Sequence, residues 1–574
     1  MPRTIKRRPV PDHGWDQADL HPVLRRVYAA RHIAARCELD YELGRLPDFT
    51  RLGGIVAAVD LLQAAVEGGK RILIVGDYDA DGATGCALAI LGLRRMGAVA
   101  PGYLVPSRFD FGYGLSPEVA ELAAGLKPDL LVTVDNGISS LEGIAAARAK
   151  GIQTLITDHH LPGTLLPTAD AIVNPNLPGD KFPSRNLAGV GVMFYVLAAL
   201  RARLRESGWF KSKSIADPNL ASLLDLVALG TVADVVPLDH CNRILIAQGL
   251  ARIRAGQCRP GIKALLKVAR RDLLRLGAGD LGFAIGPRLN AAGRLSDMSL
   301  GIECLLCDDA AEALAMATQL DELNTERRGI QAEMQTLADQ EMARLHAGEP
   351  PHGVCLYDPA WHQGVVGILA SRLKDKWHRP VIAFARDHNG MIKGSGRSIR
   401  ALHLRDLLEA IATRHPGLIR KFGGHAMAAG LTLEADNLEP FQAAFQEELR
   451  RLLKPEDLED CIYSDGELQE TELEMDLALA IRAGGPWGQG FPEPVFDGVF
   501  ILQDQRTVGE RHLRMTLGLP GRDRPLEAIA FNIDEGLRPD RWQETRIAYR
   551  LDINEYQGRS SLQLVVEHME PAVR

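Results

Sequence analysis

Asp77, Asp79 and Asp81 alternate in the run GDYDADG, directly after the apolar stretch RILIV at 71–75. Asp135 opens Asp-Asn-Gly after DLLVTV, and Asp158, His159 and His160 stand together after QTLIT. In open α/β sheets, ligands bind beyond the carboxyl ends of the strands, so these three turns are expected to converge. Carboxylates crowded into one crevice repel and raise one another's pKa. A divalent cation relieves that repulsion, and a mixed carboxylate and imidazole set suits Mn²⁺ or Mg²⁺ better than a thiolate-preferring metal. A fourth acidic turn, Asp234 in VADVVPL, follows a helical stretch and could close the cluster.

Each residue also has an ordinary structural reading. Asp81 precedes Gly82 and a helical stretch, which predicts N-capping and not ligation. Asp77 and Asp79, two apart, fall on one side of an extended segment. A lone pair of this kind is usually a turn, but three acidic strand ends in sequence argue against coincidence. Asp234 alone reads as a helix-end residue. Asp158 reads equally as a ligand or as the group that orients the imidazole beside it.

The elements that must position these residues follow from periodicity. Short apolar runs at 71–75, 129–134 and 153–157 alternate with helical stretches at 83–96 and 139–150, the pattern of a parallel, doubly wound sheet. A basic arm leading into helices precedes them, and helices dominate from 187 to 270. Residues 308–347 contain one Gly and no Pro, and Leu320, Leu323, Ile330, Met334 and Leu337 fall on one helical face. A helix of that length bridges two domains. A second α/β unit follows: VCLY, helix 364–377, VIAFA, helix 403–413 and AAGLTL. About five strand-like runs over 495–569 suit a small barrel such as an OB-fold, although a sandwich has the same strand count. The expected architecture is therefore α/β, with a parallel-sheet domain, a long helix, a smaller α/β domain and a C-terminal β-barrel. The boundaries are 1–307, 308–348, 349–455 and 456–574. The barrel is expected to be separable, because every acidic turn precedes it.

With 46% hydrophobic and 24% charged residues, the chain reads as globular and not disordered. No apolar run reaches membrane-spanning length, and no apolar segment follows the basic start MPRTIKRRPV, so neither a membrane span nor a secretory leader is expected. Eight scattered cysteines fit reduced thiols of the cytoplasm. Cys304 and Cys307 lack a second metal-binding pair and read as helix-face residues. The net charge of −8 argues mildly against a nucleic-acid partner. Residues 251–288 nevertheless hold nine basic residues (Arg252, Arg254, Arg259, Lys263, Lys267, Arg270, Arg271, Arg275 and Arg288) against Asp272 and Asp280. Such a stretch is a phosphate track or a solvated helix face. Aromatic residues are 5% of the chain, so any base stacking comes from few positions.

In order and spacing, GDYDADG, VDNG, DHH and GTVADVVPL resemble the four motifs of the DHH phosphoesterases. AGVGVMFY, IGPRLNAAGRLSDMS, WHQGVVGILASRL, GSGRS and GGHAMAAG resemble the RecJ branch of that superfamily, and GPWGQGFPEPVF resembles the entry to its OB-fold. The resemblance covers nearly the whole chain. It implies a 5′→3′ exonuclease that degrades single-stranded DNA to 5′-mononucleotides in DNA repair and recombination. It also implies two divalent metal ions, Mn²⁺ or Mg²⁺, held by Asp77, Asp79, Asp135, His159 and Asp234, with Asp135 bridging. Hydrolysis would proceed by attack of a metal-activated water. His160 would contact the scissile phosphate, Arg108, Ser395 and Arg397 the 5′-terminal phosphate, Arg288 the strand backbone, and His425 the substrate cleft. Single-strand-binding protein and a RecQ-type helicase are implied as protein partners, with action as a monomer and no membrane association. One position departs from the pattern: some relatives carry a His two residues before the first motif Asp, and here it is Val75. That implies a weaker or more readily exchanging outer metal. Two other readings stay open, a DHH enzyme for small substrates such as cyclic dinucleotides and a non-catalytic single-strand-binding module. Length, the basic segment and the barrel argue against the first, and the intact acidic motifs against the second.

Overall fold

The computed structural model describes residues 3–11, 20–345, 351–387, 390–509, 512–519, 524–533, 544–556 and 559–572. The chain forms two compact units, Ile5–Asp321 with Ile462–Arg574, and Met1–Thr4 with Glu322–Cys461. In the first unit, β1 (Ile72–Gly76), β2 (Gly102–Leu104), β3 (Leu130–Val134), β4 (Gln153–Thr157) and β5 (Ala171–Val173) build a parallel sheet in the order β2-β1-β3-β4-β5. β1 and β3 are buried at every residue, as apolar strands covered on both faces must be. The strand order reverses between them, and ligands bind at such a point. Asn136 ties the two ends together: its buried Nδ2 donates to the carbonyls of Val75 (3.0 Å) and Val134 (2.9 Å).

Helices α1 (Ala80–Arg95), α2 (Gly189–Glu206) and α3 (Leu224–Ala233) pack against one another beside the sheet. Helix α4 (Gly286–Leu295), which carries PRLNAAGR, braces the first acidic turn. Asn290 Oδ1 accepts from the Ala80 N–H at 2.8 Å, and a Cβ at Gly293 would collide with the Tyr78 carbonyl. The basic N-terminal arm contains a short strand (Thr4–Arg7), with Arg7 Nε 3.0 Å from Asp497, and leads as expected into helices, at Pro22–Ala29 and Ile55–Glu67.

The long helix is α5 (Ala310–Leu345). Its buried line differs from the expected one. Leu337 is exposed, whereas Asn324, Arg327 and Gln331 are buried. These three polar groups satisfy one another, with Arg327 donating to Asn324 Oδ1 (2.6 Å) and Gln331 Oε1 (2.9 Å), so burial leaves no orphaned donor among those bonds.

In the second unit, β6 (Val354–Tyr357), β7 (Val381–Arg386), β8 (Met391–Arg397), β9 (Lys421–Gly424) and β10 (Ala428–Glu434) form a mixed sheet in the order β9-β10-β8-β7-β6. Helices α6 (Val366–Trp377), α7 (Leu404–Arg414) and α8 (Leu438–Leu452) complete it, over a core that includes Phe384, Leu404, Leu431, Phe441 and Phe445. GSGRS is not the glycine-rich turn its composition suggests. Gly394–Arg397 lie inside β8, paired on both sides. Its glycines make room for packing, because a Cβ at Gly394 would lie 2.5 Å from the Phe384 ring and one at Gly396 would lie 2.7 Å from Leu404. They do not free main-chain N–H groups for a phosphate.

The C-terminal strands β11 (Phe496–Val508), β12 (His512–Gly518), β13 (Leu526–Ala530), β14 (Glu544–Tyr556) and β15 (Arg559–Pro571) close into a barrel in the order β11-β12-β13-β15-β14. Only β13 and β15 pair in parallel, and β11 pairs β14 to close the ring, the connectivity of an OB-fold and not a sandwich. The expected separability does not fit the contacts. The barrel shares its unit with the parallel sheet, through a fully buried ion pair of Arg31 with Asp465 (2.8 Å) and stacking of Tyr28 on Trp487 and Phe491. Among the described residues, all eight cysteines are free and no single helix is long and apolar enough to cross a membrane.

The bracing of the acidic turn is open to test by calorimetry. Gly293→Ala should lower the melting temperature, since overpacking typically costs ~1–3 kcal/mol. Gly329→Ala, in α5 with nothing near its added Cβ, should raise stability by ~0.5–1 kcal/mol. Equal effects would mean that α4 does not press on the turn.

Candidate metal centre and phosphate contacts

The three strand ends converge as expected. Ligand oxygens of Asp77, Asp79 and Asp135 lie within 4.8 Å of one another, and so do those of Asp81 and Asp234 with a ring nitrogen of His159. A third set, Asp135 with His159 and His160, overlaps both through Asp135 and His159. All five residues implied as ligands are therefore brought together, with Asp135 at the centre. His159 Nε2 is 3.0 Å from Asp135 Oδ1 and 3.5 Å from Asp234 Oδ2.

Asp81 was expected to cap its own helix. It does not. Asp79 caps α1, accepting from the Asp81 and Gly82 N–H groups. Asp81 is buried and accepts from the first amides of α2, Gly189 (2.6 Å) and Val190 (2.9 Å), while its carboxylate lies 4.0 Å from His159 Nε2. The structure thus adds Asp81 to the candidate ligands. Asp234 stands at the C-terminal cap of α3, and Val235 after it has a left-handed backbone (φ 63°). Asp135 is left-handed as well (φ 63°), a conformation unfavourable for residues other than Gly, and such strain gathers at functional sites.

These donors fit divalent cations. Asp77 Oδ1 and Asp234 Oδ2 are buried yet accept no hydrogen bond. Burial, reinforced by Asp79, holds the Asp77 carboxyl well above the usual range, and burial with Asp81 and Asp79 does the same to Asp135. Burial, then the neighbouring Asp234, pushes Asp81 up to about 7, and burial with Asp79 pushes Asp234 up to about 7. Burial lowers the His159 pKa, leaving a neutral imidazole able to donate a lone pair. Val75 is fully buried in β1, and its aliphatic side chain has no donor atom to offer a metal.

Asp158 is the orienting group and not part of these sets. It accepts from the His159, His160 and Ile138 N–H groups and from His160 Nδ1 at 2.7 Å. Burial opposes the charge on His160, but the bond to Asp158 outweighs it and raises its pKa to about 9. His160 is therefore a cation at neutral pH beside the acidic cluster. Sequence reasoning missed the residues that hold it there. Asn174 and Asn176 grip the His160 and His159 carbonyls. The Tyr113 hydroxyl donates to the Asp135 carbonyl (3.2 Å) and lies 3.2 Å from His160 Nδ1. Tyr113 lies five residues after Arg108, in the run VPSRFDFGYGL, and that proximity is its one signal in the sequence.

Arg108 lies over the Tyr78 ring at 4.7 Å, near enough for its charge to act on Asp77. Arg288 is held by the Ala284 carbonyl and by Asp321 (2.7 Å). Much of the basic segment is structural: Arg259 is buried on the carbonyls of Leu305 and Leu306, and Arg254 binds that of Leu276. Lys263, Lys267 and Arg270 remain exposed. In the other unit, Arg397 donates to Ser395 Oγ (3.2 Å), and both side chains face Gly367 at the start of α6. His425 is exposed in the turn between β9 and β10.

An open parallel sheet with three linked sets of carboxylates and imidazoles at its switch point defines a divalent-metal hydrolase site of the phosphoesterase kind. The DHH family N-terminal domain matches residues 71–231, the DHHA1 domain residues 351–451 and the RecJ OB domain residues 464–568. The chain is 55% identical to the single-stranded-DNA-specific exonuclease RecJ of Dickeya dadantii and 53% identical to that of Escherichia coli, over 99% of both chains in each case. The crystal structure of RecJ in complex with Mn²⁺ from Thermus thermophilus aligns with a TM-score of 0.78 at 31% identity, covering 96% of this chain and 76% of that one. The chain belongs to the RecJ family.

The His160–Asp158 pair has a pH signature in metal-free protein. Because the folded pKa is raised, the pair's contribution to stability is complete below the ordinary imidazole value of 6.5 and is lost as pH rises through about 9. Asp158→Asn should move the His160 midpoint, followed by NMR in EDTA, to 6.5 or below. A midpoint that stays near 9 would show that another group holds the proton.

Proposed function

We propose that this chain is a divalent-metal-dependent exonuclease that degrades single-stranded DNA from the 5′ end to 5′-mononucleotides, in DNA repair and recombination. The observation that carries the reading is the convergence of Asp77, Asp79, Asp81, Asp135, His159 and Asp234, with His159 Nε2 3.0 Å from Asp135 and 3.5 Å from Asp234, at the ends of β1, β3, β4 and α3. The names of the relatives support the substrate, and the solved Mn²⁺ complex supports the metal. Asp77, Asp79, Asp81, Asp135, His159 and Asp234 would hold the ions. When bound, they supply a water nucleophile at neutral pH and stabilise charge on the phosphoryl oxygens.

The protein's own groups complete the chemistry. His160, kept cationic by Asp158 and placed by Tyr113, offers a charge-assisted hydrogen bond to a phosphate oxygen. Arg108 and Arg288 serve the strand's phosphates. Ser395 and Arg397, beside the first turn of α6, serve its terminal phosphate, and His425 lines the substrate path. The OB barrel supports single-strand binding, since such folds hold ~4–16 nucleotides. The four-part division with boundaries at 307, 348 and 455 is supported by the three matched spans. Action as a monomer in the cytoplasm, with single-strand-binding protein and a RecQ-type helicase as partners, completes the reading and rests on family membership.

Product analysis on end-labelled DNA tests it. With Mn²⁺, single strands should yield mononucleotides from the 5′ end while duplexes persist. Asp135→Ala should abolish cleavage and leave single-strand binding in place. Near-normal turnover by that variant at saturating Mn²⁺ would remove the basis of the assignment.

A further inference from the structure

The chain leaves α3 at Asp234, whose N–H still bonds the Gly230 carbonyl at 2.9 Å, and turns sharply at the next residue. Val235 is exposed and left-handed, and such a β-branched residue stays in that conformation only where its surroundings impose it. The next residues are gripped from several sides. Asn242 Nδ2 donates to the Pro237 carbonyl (2.9 Å), and Arg243 Nη1 donates to the Leu238 carbonyl (2.9 Å). The Leu238 N–H donates to the carbonyl of Gln489 at 2.7 Å, a residue far away in sequence at the entry to the barrel.

Gln489 belongs to a tight turn. Gly488 and Phe491 exchange main-chain hydrogen bonds of 2.9 and 3.1 Å. The turn lies directly on the loop. A Cβ at Gly488 would come within 2.7 Å of Leu238 Cδ1, and one at Gly490 (φ +72°) within 3.3 Å of Pro237 Cβ. Phe491 is fully buried, stacked on Trp487 at 5.0 Å, and lies 4.4 Å beneath the buried Arg243 guanidinium. One rigid cluster therefore holds both the barrel entry and the main chain that leaves Asp234.

We propose that the turn Gly488–Phe491 is a positioning element for the metal centre: by fixing Pro237 and Leu238 it fixes the Asp234 carboxylate. The barrel's attachment to the chain is thus also a support of the site. The inference rests on Asp234 being a ligand, as proposed above. It assigns the turn no contact with substrate or metal. Groups that orient a ligand from behind matter to metal affinity nearly as much as the ligand does.

Mn²⁺ binding to EDTA-stripped, full-length protein, measured by calorimetry, provides the test, with single-strand affinity in EDTA and the melting temperature recorded alongside. Gly488→Ala should weaken Mn²⁺ binding by about tenfold, with single-strand affinity unchanged. Adding Leu238→Ala, which removes the atoms the new methyl strikes, should restore it. A general loss of packing would not be repaired by a second truncation. If Gly488→Ala lowers the melting temperature, Phe491→Leu replaces it, and it too must weaken Mn²⁺ binding. Asp234→Asn separates the two levels of the argument. If that variant binds Mn²⁺ normally, the ligand assignment fails. If it binds weakly while Gly488→Ala and Phe491→Leu bind normally, or if Leu238→Ala gives no rescue, the positioning role is overturned.

Discussion

Carboxylates that repel one another are held together where three parallel strands end, and the catalytic unit is organised around that contact. Asp77, Asp81, Asp135 and Asp234 all have raised pKa values, with burial as the leading cause and neighbouring acids adding to it. A raised carboxyl pKa means that the folded state binds more protons, so metal-free protein loses stability as pH rises through that range. The cluster is tolerable at neutral pH when cations replace the protons. Fold stability and metal occupancy are therefore linked in this protein.

Several elements confine the cluster from outside. The switch point between β1 and β3 creates the crevice, and Asn136 closes it from below. Two helix N-termini face it: Asp79 caps one and Asp81 accepts from the other, so each carboxylate gains main-chain N–H donors that favour its charge. Helix α4 presses on the first acidic turn through Asn290, and the barrel-entry turn presses on the last one through Leu238. The motifs PRLNAAGR and GPWGQGF, far apart in sequence, perform the same mechanical task at opposite ends of the site.

The sheet, the long helix and the convergence of the acidic turns were legible because they depend on local periodicity and on a general rule of strand order. The barrel was expected from its strands and from the resemblance of GPWGQGFPEPVF; the strand count alone left a sandwich open, since β11 meets β14 only through tertiary pairing. Asp81 was misread for an instructive reason. An Asp before Gly at a helix start signals a cap, but the helix it serves begins at Gly189, over a hundred residues later. GSGRS has the composition of a turn because glycine is rare in strands. Here the missing side chains admit Phe384 and Leu404, a fact about packing that composition does not carry. Arg259 counted toward a phosphate track, yet it is consumed by helix carbonyls. Asn174 and Asn176 gave no signal, because main-chain grips of this kind have no sequence pattern.

The central claim is that buried, partly protonated carboxylates form one site completed by two cations. Calorimetric titration of Mn²⁺ into EDTA-stripped protein at neutral pH, repeated in buffers of different ionisation enthalpy, tests it most directly. The account predicts two ions per chain and net proton release, because Asp81 and Asp234 sit at about 7 before metal binds. Binding of a single ion with no proton release would contradict it.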